Sequence, residues 1–157
     1  MKVEIIPATD EDADALVEIQ KRAFKRLYGI YHDEGNPYLR GSDEIVQWLN
    51  RPNCYVYKII ADGLLCGGVS FFERREGEFY LARIYILPEM QGKGIAPTAI
   101  SLCESQFPQA KRWFLDFPVN ENMNRRCYEK AGYKDTGERR EQSNGAITLA
   151  IYEKIMQ

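Results

Sequence analysis

Residues 2–6 alternate apolar and polar side chains and stop at Pro7, the period-two pattern of an edge strand. The period then lengthens. Leu16, Ile19, Ala23 and Leu27 recur at helical spacing behind Thr9, which can cap a helix that starts at Asp10 with acids in its first turn. Residues 28–40 show no period and are rich in Tyr, Gly and Asn, a loop composition. Ser42 is placed to cap a short helix carrying Ile45, Val46, Trp48 and Leu49. From there the pattern turns β. Residues 54–61 and 64–74 flank Asp62-Gly63, a two-residue hairpin signal, and a turn at Glu76-Gly77 leads into a third strand over 78–87. The segment Pro88-Glu89-Met90-Gln91-Gly92-Lys93-Gly94-Ile95-Ala96 opens a helix that runs to about Phe107. A short buried strand is expected at 113–117 and a helix at 121–131, ended by Gly132. Two last strands, 133–140 and 146–152, flank Asn144-Gly145, the strongest hairpin turn in the chain. The predicted fold class is α/β: a mixed, mostly antiparallel sheet with helices on its faces.

The chain has 157 residues and shows no internal repeat, low-complexity tract or linker, so residues 1–157 read as a single domain. Lys and Arg number 21 against 23 Asp and Glu, a formal charge of −2, which speaks against a nucleic-acid partner. The apolar runs at 55–61, 64–72 and 79–88 fall far short of the roughly 20 residues of a membrane span, and Met1-Lys2-Val3-Glu4 lacks the apolar stretch of a leader. A soluble, cytoplasmic protein without a membrane partner is expected. The four cysteines, Cys54, Cys66, Cys103 and Cys127, stand far apart, and with one His they match no zinc-ligand spacing. They read as buried free thiols, with no metal expected. His32 lies in the loop at 28–40, where a surface or substrate-lining role fits better than a nucleophile pair, so hydrolase triads are disfavoured.

The strand–loop–helix unit at 83–100 carries the chemistry. Gly92 and Gly94 let the backbone turn tightly, and the first turn of the following helix leaves N–H groups unpaired at the positive end of its dipole. Such a loop holds a phosphate, or is a plain strand-to-helix turn. The dinucleotide fingerprint fails because Pro97 stands where its third glycine belongs, and the P-loop fails because Ile95 follows Gly94.

The run Ile84-Tyr85-Ile86-Leu87-Pro88-Glu89-Met90-Gln91-Gly92-Lys93-Gly94-Ile95-Ala96 closely resembles the acyl-CoA motif of the GNAT acetyltransferase superfamily, with Gln91, Gly94 and Ala96 in its defined positions. Cys127-Tyr128-Glu129-Lys130-Ala131-Gly132-Tyr133 resembles that family's second signature, and the element order agrees across nearly the whole chain. The resemblance implies a GNAT-like fold with acetyl-CoA as co-substrate. It also implies that the backbone of Ile84, Tyr85 and Ile86 holds the pantetheine arm, and that the amides of Gly92, Lys93, Gly94, Ile95 and Ala96 hold the diphosphate, with Gln91 shaping the loop. Pro97 removes one donor, so weaker phosphate contact is expected there.

The implied reaction moves an acetyl or other short acyl group from CoA to a primary amine of a small molecule or peptide. A lysine-like amine, with a pKa of about 10.4, must lose its proton; the carbonyl needs a donor as it becomes an oxyanion; the departing thiolate needs an acid. Tyr128 matches the family's acid position, against the reading of a core aromatic. Asn124, one helical turn earlier, can reach the CoA arm, while Glu121 stands where many members carry a cofactor-touching Asn, so Asn120, Asn122 and Asn124 compete for that contact. Asp116, an acid inside the apolar strand Trp113-Phe114-Leu115-Asp116-Phe117, leads as base; pairing with Arg125 or Arg126 is the competing reading. Glu78 or a water chain are the other routes. Tyr28, Tyr31, His32, Asp33, Glu34 and Tyr38 suit a pocket for a cationic amine, or else a solvated loop. A catalytically silent acyl-CoA-binding or sensor module is the alternative, and an interaction protein that ignores CoA is a third. Dimers are common in the family, which leaves a homodimer open.

Overall fold

In a computed structural model covering all 157 residues, the elements follow in the order β1 (Val3–Pro7), α1 (Ala13–Tyr31), α2 (Ser42–Leu49), β2 (Cys54–Ala61), β3 (Leu64–Arg75), β4 (Glu78–Ile86), α3 (Ile95–Ser105), β5 (Arg112–Pro118), α4 (Asn122–Lys130), β6 (Lys134–Gln142) and β7 (Ile147–Ile155). The seven strands form one sheet in the order β1-β2-β3-β4-β5-β7-β6. Every neighbouring pair is antiparallel except β4 and β5. The sheet is mostly antiparallel and mixed, as the pattern of the chain predicts.

Two apolar clusters hold the helices to the sheet. Leu16 and Val17 of α1, Ile45 of α2 and Val56 of β2 form one. The larger one joins Phe71, Phe79, Leu81, Trp113, Leu115 and Phe117 of the central strands to Ile95, Ala99, Ile100 and Cys103 of α3 and Tyr128 of α4. Burying such side chains contributes about 1.5–3 kcal/mol each, which makes the larger cluster the main anchor of the sheet. A buried ionic bridge ties its far side together: Glu104, at 5% exposure, accepts from the Tyr133 hydroxyl at 2.8 Å and from Lys154 at 2.7 Å.

Several local expectations need correction. The first helix reaches Tyr31, so Tyr28 and Tyr31 are helical and not part of a loop; it ends only where His32 takes a left-handed φ of 49°. Its approach is a short 3-10 turn at Asp10–Asp12, where the Asp12 carboxylate accepts the Thr9 N–H at 2.8 Å. Ser42 is the first residue of α2 and not its cap; Gly41 holds that place without a side-chain bond. The last hairpin pairs Gln142 with Ile147, so its connection spans residues 143–146 and is longer than the two-residue turn expected at Asn144-Gly145. Asp62-Gly63, by contrast, is the two-residue turn between Ala61 and Leu64, with positive φ at both positions.

Candidate active site

The pairing of β4 with β5 is short. It runs from Glu78–Arg112 to Leu81–Leu115 and stops. Beyond it β4 stays paired with β3 as far as Ile86 opposite Gly67, while β5 continues with β7 as far as Pro118 opposite Leu149. The two central strands therefore diverge, and residues 82–86 present a backbone edge with no strand beside it. The divergence begins at a β-bulge: Phe71 pairs with Leu81 and Ser70 with Arg83, which leaves Ala82 as the extra residue. The bulge shifts the phase of β4. Phe79 and Leu81 face the large core before it, and Ile84 and Ile86 pack toward that core after it.

The strand ends at a loop that fixes five amides. Gly92 and Gly94 hold φ of 77° and 81°, a region that costs other residues roughly 1–2 kcal/mol. Gln91 donates its side-chain N–H to the Ile86 carbonyl at 3.0 Å and ties the loop to the end of β4. The N–H groups of Gly92, Lys93, Gly94, Ile95 and Ala96 donate to no protein acceptor. They sit at the start of α3, an eleven-residue helix whose dipole adds partial positive charge there. Pro97 supplies no N–H, so the run of free donors ends at Ala96.

Between β4, β5, α1, α3 and α4 lies a cavity of about 1030 Å³. Of the residues expected at a cofactor site, Ile84, Tyr85, Ile86, Gln91, Gly92, Gly94, Ile95, Ala96 and Asn124 line it; Lys93 does not. Among the competing asparagines only Asn124 reaches the cavity, one turn of α4 before Tyr128. Glu121 faces away from that role: it takes Arg26 at 2.6 Å and the Tyr31 hydroxyl at 3.5 Å, strapping α1 to the start of α4.

Tyr128 combines a core ring with a free hydroxyl. Its ring is 8% exposed and packs on Phe117 at 5.3 Å, yet its hydroxyl has no protein hydrogen bond and the side chain lines the cavity. Burial drives its pKa well above the usual phenol range, with smaller contributions from Cys127 and Asp116, so the phenol is a donor at neutral pH. Asp116 also lines the cavity, just past the last β4–β5 pair. Its Oδ2 accepts from the Tyr80 hydroxyl at 2.5 Å and from Arg140 at 2.6 Å. The expected partners Arg125 and Arg126 are therefore replaced by Arg140 of β6. Burial, and then the Asp116 charge, push the Tyr80 phenol up to about 12. Glu78 sits at the paired end of β4, outside the cavity, bound to Arg74 at 3.3 Å and Arg75 at 3.5 Å.

The residues expected to form an acceptor pocket mostly serve elsewhere. Tyr28 stacks on Tyr38 at 5.2 Å and tilts against His32 at 5.5 Å, and none of the three lines the cavity; nor do Tyr31 and Glu34. Asp33 alone of that set reaches it. The contributions that sequence reasoning missed are the Ala82 bulge and the side chains of Tyr80, Arg83 and Arg140. The bulge has a visible trace, the switch of apolar positions from 79 and 81 to 84 and 86. Arg140 has none, since it meets Asp116 only through the strand order.

The splayed sheet, the free amides and the cavity agree with what sequence comparison finds. Residues 14–133 match the model of the acetyltransferase (GNAT) family. The chain belongs to the GNAT acetyltransferase family. GNAT proteins of known structure share its fold from end to end. The PaiA N-acetyltransferase from Thermoplasma acidophilum, solved with coenzyme A, is 21% identical, with a TM-score of 0.79 and 99% of each chain covered. A GNAT-family acetyltransferase from Streptococcus pneumoniae is 16% identical, with a TM-score of 0.76 over 99% of this chain and 100% of the other. A ribosomal-protein-alanine N-acetyltransferase from Brucella melitensis is 20% identical, with a TM-score of 0.76 over 98% of this chain and 99% of the other. No curated protein matches the chain. The GNAT fold here has no helix long and apolar enough to cross a membrane.

Proposed function

We propose that the chain transfers an acetyl or other short acyl group from acyl-CoA to a primary amine of a small molecule or peptide. One observation carries this reading: five free amides, an unpaired strand edge and a buried, protonated phenol line or border a single cavity. The donor set fits acetyl-CoA. The amides of Gly92 to Ala96 suit a diphosphate, the edge of β4 from Ala82 to Ile86 suits the amide-bearing pantetheine arm, and Asn124 adds a side-chain partner.

With the thioester laid along β4, the amine attacks its carbonyl carbon; the new C–N bond forms and the C–S bond breaks. Tyr128 donates its proton to the departing sulfur and recovers one from the nitrogen, which sheds its second proton as the amide forms. The amine must first give up a proton. Oδ2 of Asp116 already holds two donors, so Oδ1, which has no protein partner, is the atom that receives it. Tyr80 and Arg140 fix the orientation of that carboxylate.

The test combines thermal shift with acetyl-CoA and thiol release across a panel of amines. Stabilisation by acetyl-CoA together with amine-dependent thiol release supports the reading. Stabilisation without release points to a silent acyl-CoA-binding module, and no stabilisation refutes both.

A further inference from the structure

The lining of the cavity carries both signs of charge. At the α4 wall, Arg126 and Lys130 pair with no carboxylate, and together with the free amides of the glycine loop they suit a polyanionic donor. The segment after α1 also lines the cavity, with Asp33, at 8% exposure, and Asn36, at 3%. Oδ1 of Asp33 accepts from the Asn36 side chain at 3.1 Å, and Oδ2 has no protein partner.

A carboxylate this buried is ordinarily paired with a cation. Asp33 is not, and the cations of the neighbouring elements are engaged elsewhere. Arg26 is held by Glu121 at 2.6 Å, and Arg83 is held by Glu44 and Gln20. Lys21 donates to the Tyr38 carbonyl at 3.0 Å, and Arg40 donates to the Glu34 carbonyl at 3.2 Å while facing Glu44 at 3.6 Å. The helix makes the deficit larger. Asp33 follows the C-terminus of the nineteen-residue α1, whose dipole ends in partial negative charge and whose last turn has no basic residue. A buried carboxylate and a helix C-terminus thus share one uncompensated negative spot that opens into the cavity.

We infer that Asp33 anchors a positively charged group of the acceptor other than the amine that reacts, so that the acceptor is a diamine or another amine bearing a second cationic group. The group at Asp33 is not the nucleophile, because the reacting amine must lie at the thioester beside Tyr128 and Asp116, with which Asp33 shares no hydrogen bond. This rests on the amine-acyltransferase reading above and names its substrate class.

Calorimetric titration of diaminopentane and of pentylamine into the protein saturated with CoA tests the anchor without turnover. The wild-type protein is expected to bind diaminopentane at least about tenfold more tightly. Asp33→Asn, which keeps the bond to Asn36, should erase that preference with its melting temperature unchanged, and Asp33→Glu should retain part of it. Equal affinities in the wild type, or a preference that survives in Asp33→Asn, would overturn the inference. Failure of the acyltransferase reading shows itself separately, as the absence of thiol release with every amine.

Discussion

Tyr128 makes two demands on one side chain. The ring packs in the core against Phe117, while in the proposed reaction the hydroxyl must stay free for the thioester. Phenylalanine meets the first demand and fails the second. Tyr128→Phe is therefore expected to lower kcat about a hundredfold, leave acetyl-CoA affinity unchanged and hold the melting temperature close to wild type. Steady-state kinetics beside calorimetry checks this, and an unchanged kcat removes Tyr128 from the mechanism. The raised phenol pKa adds a second sign: the group stays protonated through neutral pH, so no loss of rate near pH 7 belongs to its ionisation. For this residue the sequence leaves core and chemistry open. Its free hydroxyl was not legible, because that depends on neighbours brought in from other elements.

Strands β3 and β4 show how an element prepares a site. Gly67 and Gly68 have no side chain, and this permits β4 to lie close at Tyr85. A Cβ on Gly67 would run into the Tyr85 carbonyl oxygen, a backbone atom that cannot rotate aside. Gly67→Ala should thus cost at least about 2 kcal/mol in chemical denaturation and displace the edge that faces the cavity. A variant of wild-type stability would show that β4 has more freedom than this packing allows. The glycine loop after β4 was readable from residue types, since positive φ at 92 and 94 is what glycine permits. The bulge at Ala82 could have been read from the slip in apolar phase. The aromatic-rich segment misled for a related reason: at helical spacing, Tyr28 meets His32, and these rings pack on their own unit and not around a ligand. Residue types alone do not separate those two uses.

Across the whole molecule, burial sets a limit at alkaline pH. Burial pushes the Cys103 thiol up to about 12 and the Cys127 thiol up to about 11, from 9.0, and lifts the Tyr80 phenol to about 12 from 10.0. Each group binds its proton more tightly folded than unfolded. Their contribution to stability is complete below pH 9 and is lost as pH rises from 9 toward 12. Denaturation midpoints should fall steeply over that window, and a flat profile would contradict the burial of these groups. Asp135 is pulled down to about 2 by hydrogen bonds from Arg139 and the Gly137 amide, but it is exposed, so the acid side gains little from it. The order of elements and the fold class were legible in the sequence because periodicity encodes which face each element buries. The divergence of β4 from β5, and the approach of Arg140 to Asp116 and of Asp33 to the cavity, arise from strand order and helix docking, which no local pattern specifies.

A crystal structure of the chain with CoA is the most direct measurement. The diphosphate should lie within hydrogen-bonding distance of the amides of Gly92 to Ala96, the pantetheine arm along residues 82–86 of β4, and the sulfur beside the Tyr128 hydroxyl. CoA bound at another surface, or an ordered β4–β5 cleft left empty at saturating ligand, would contradict that placement.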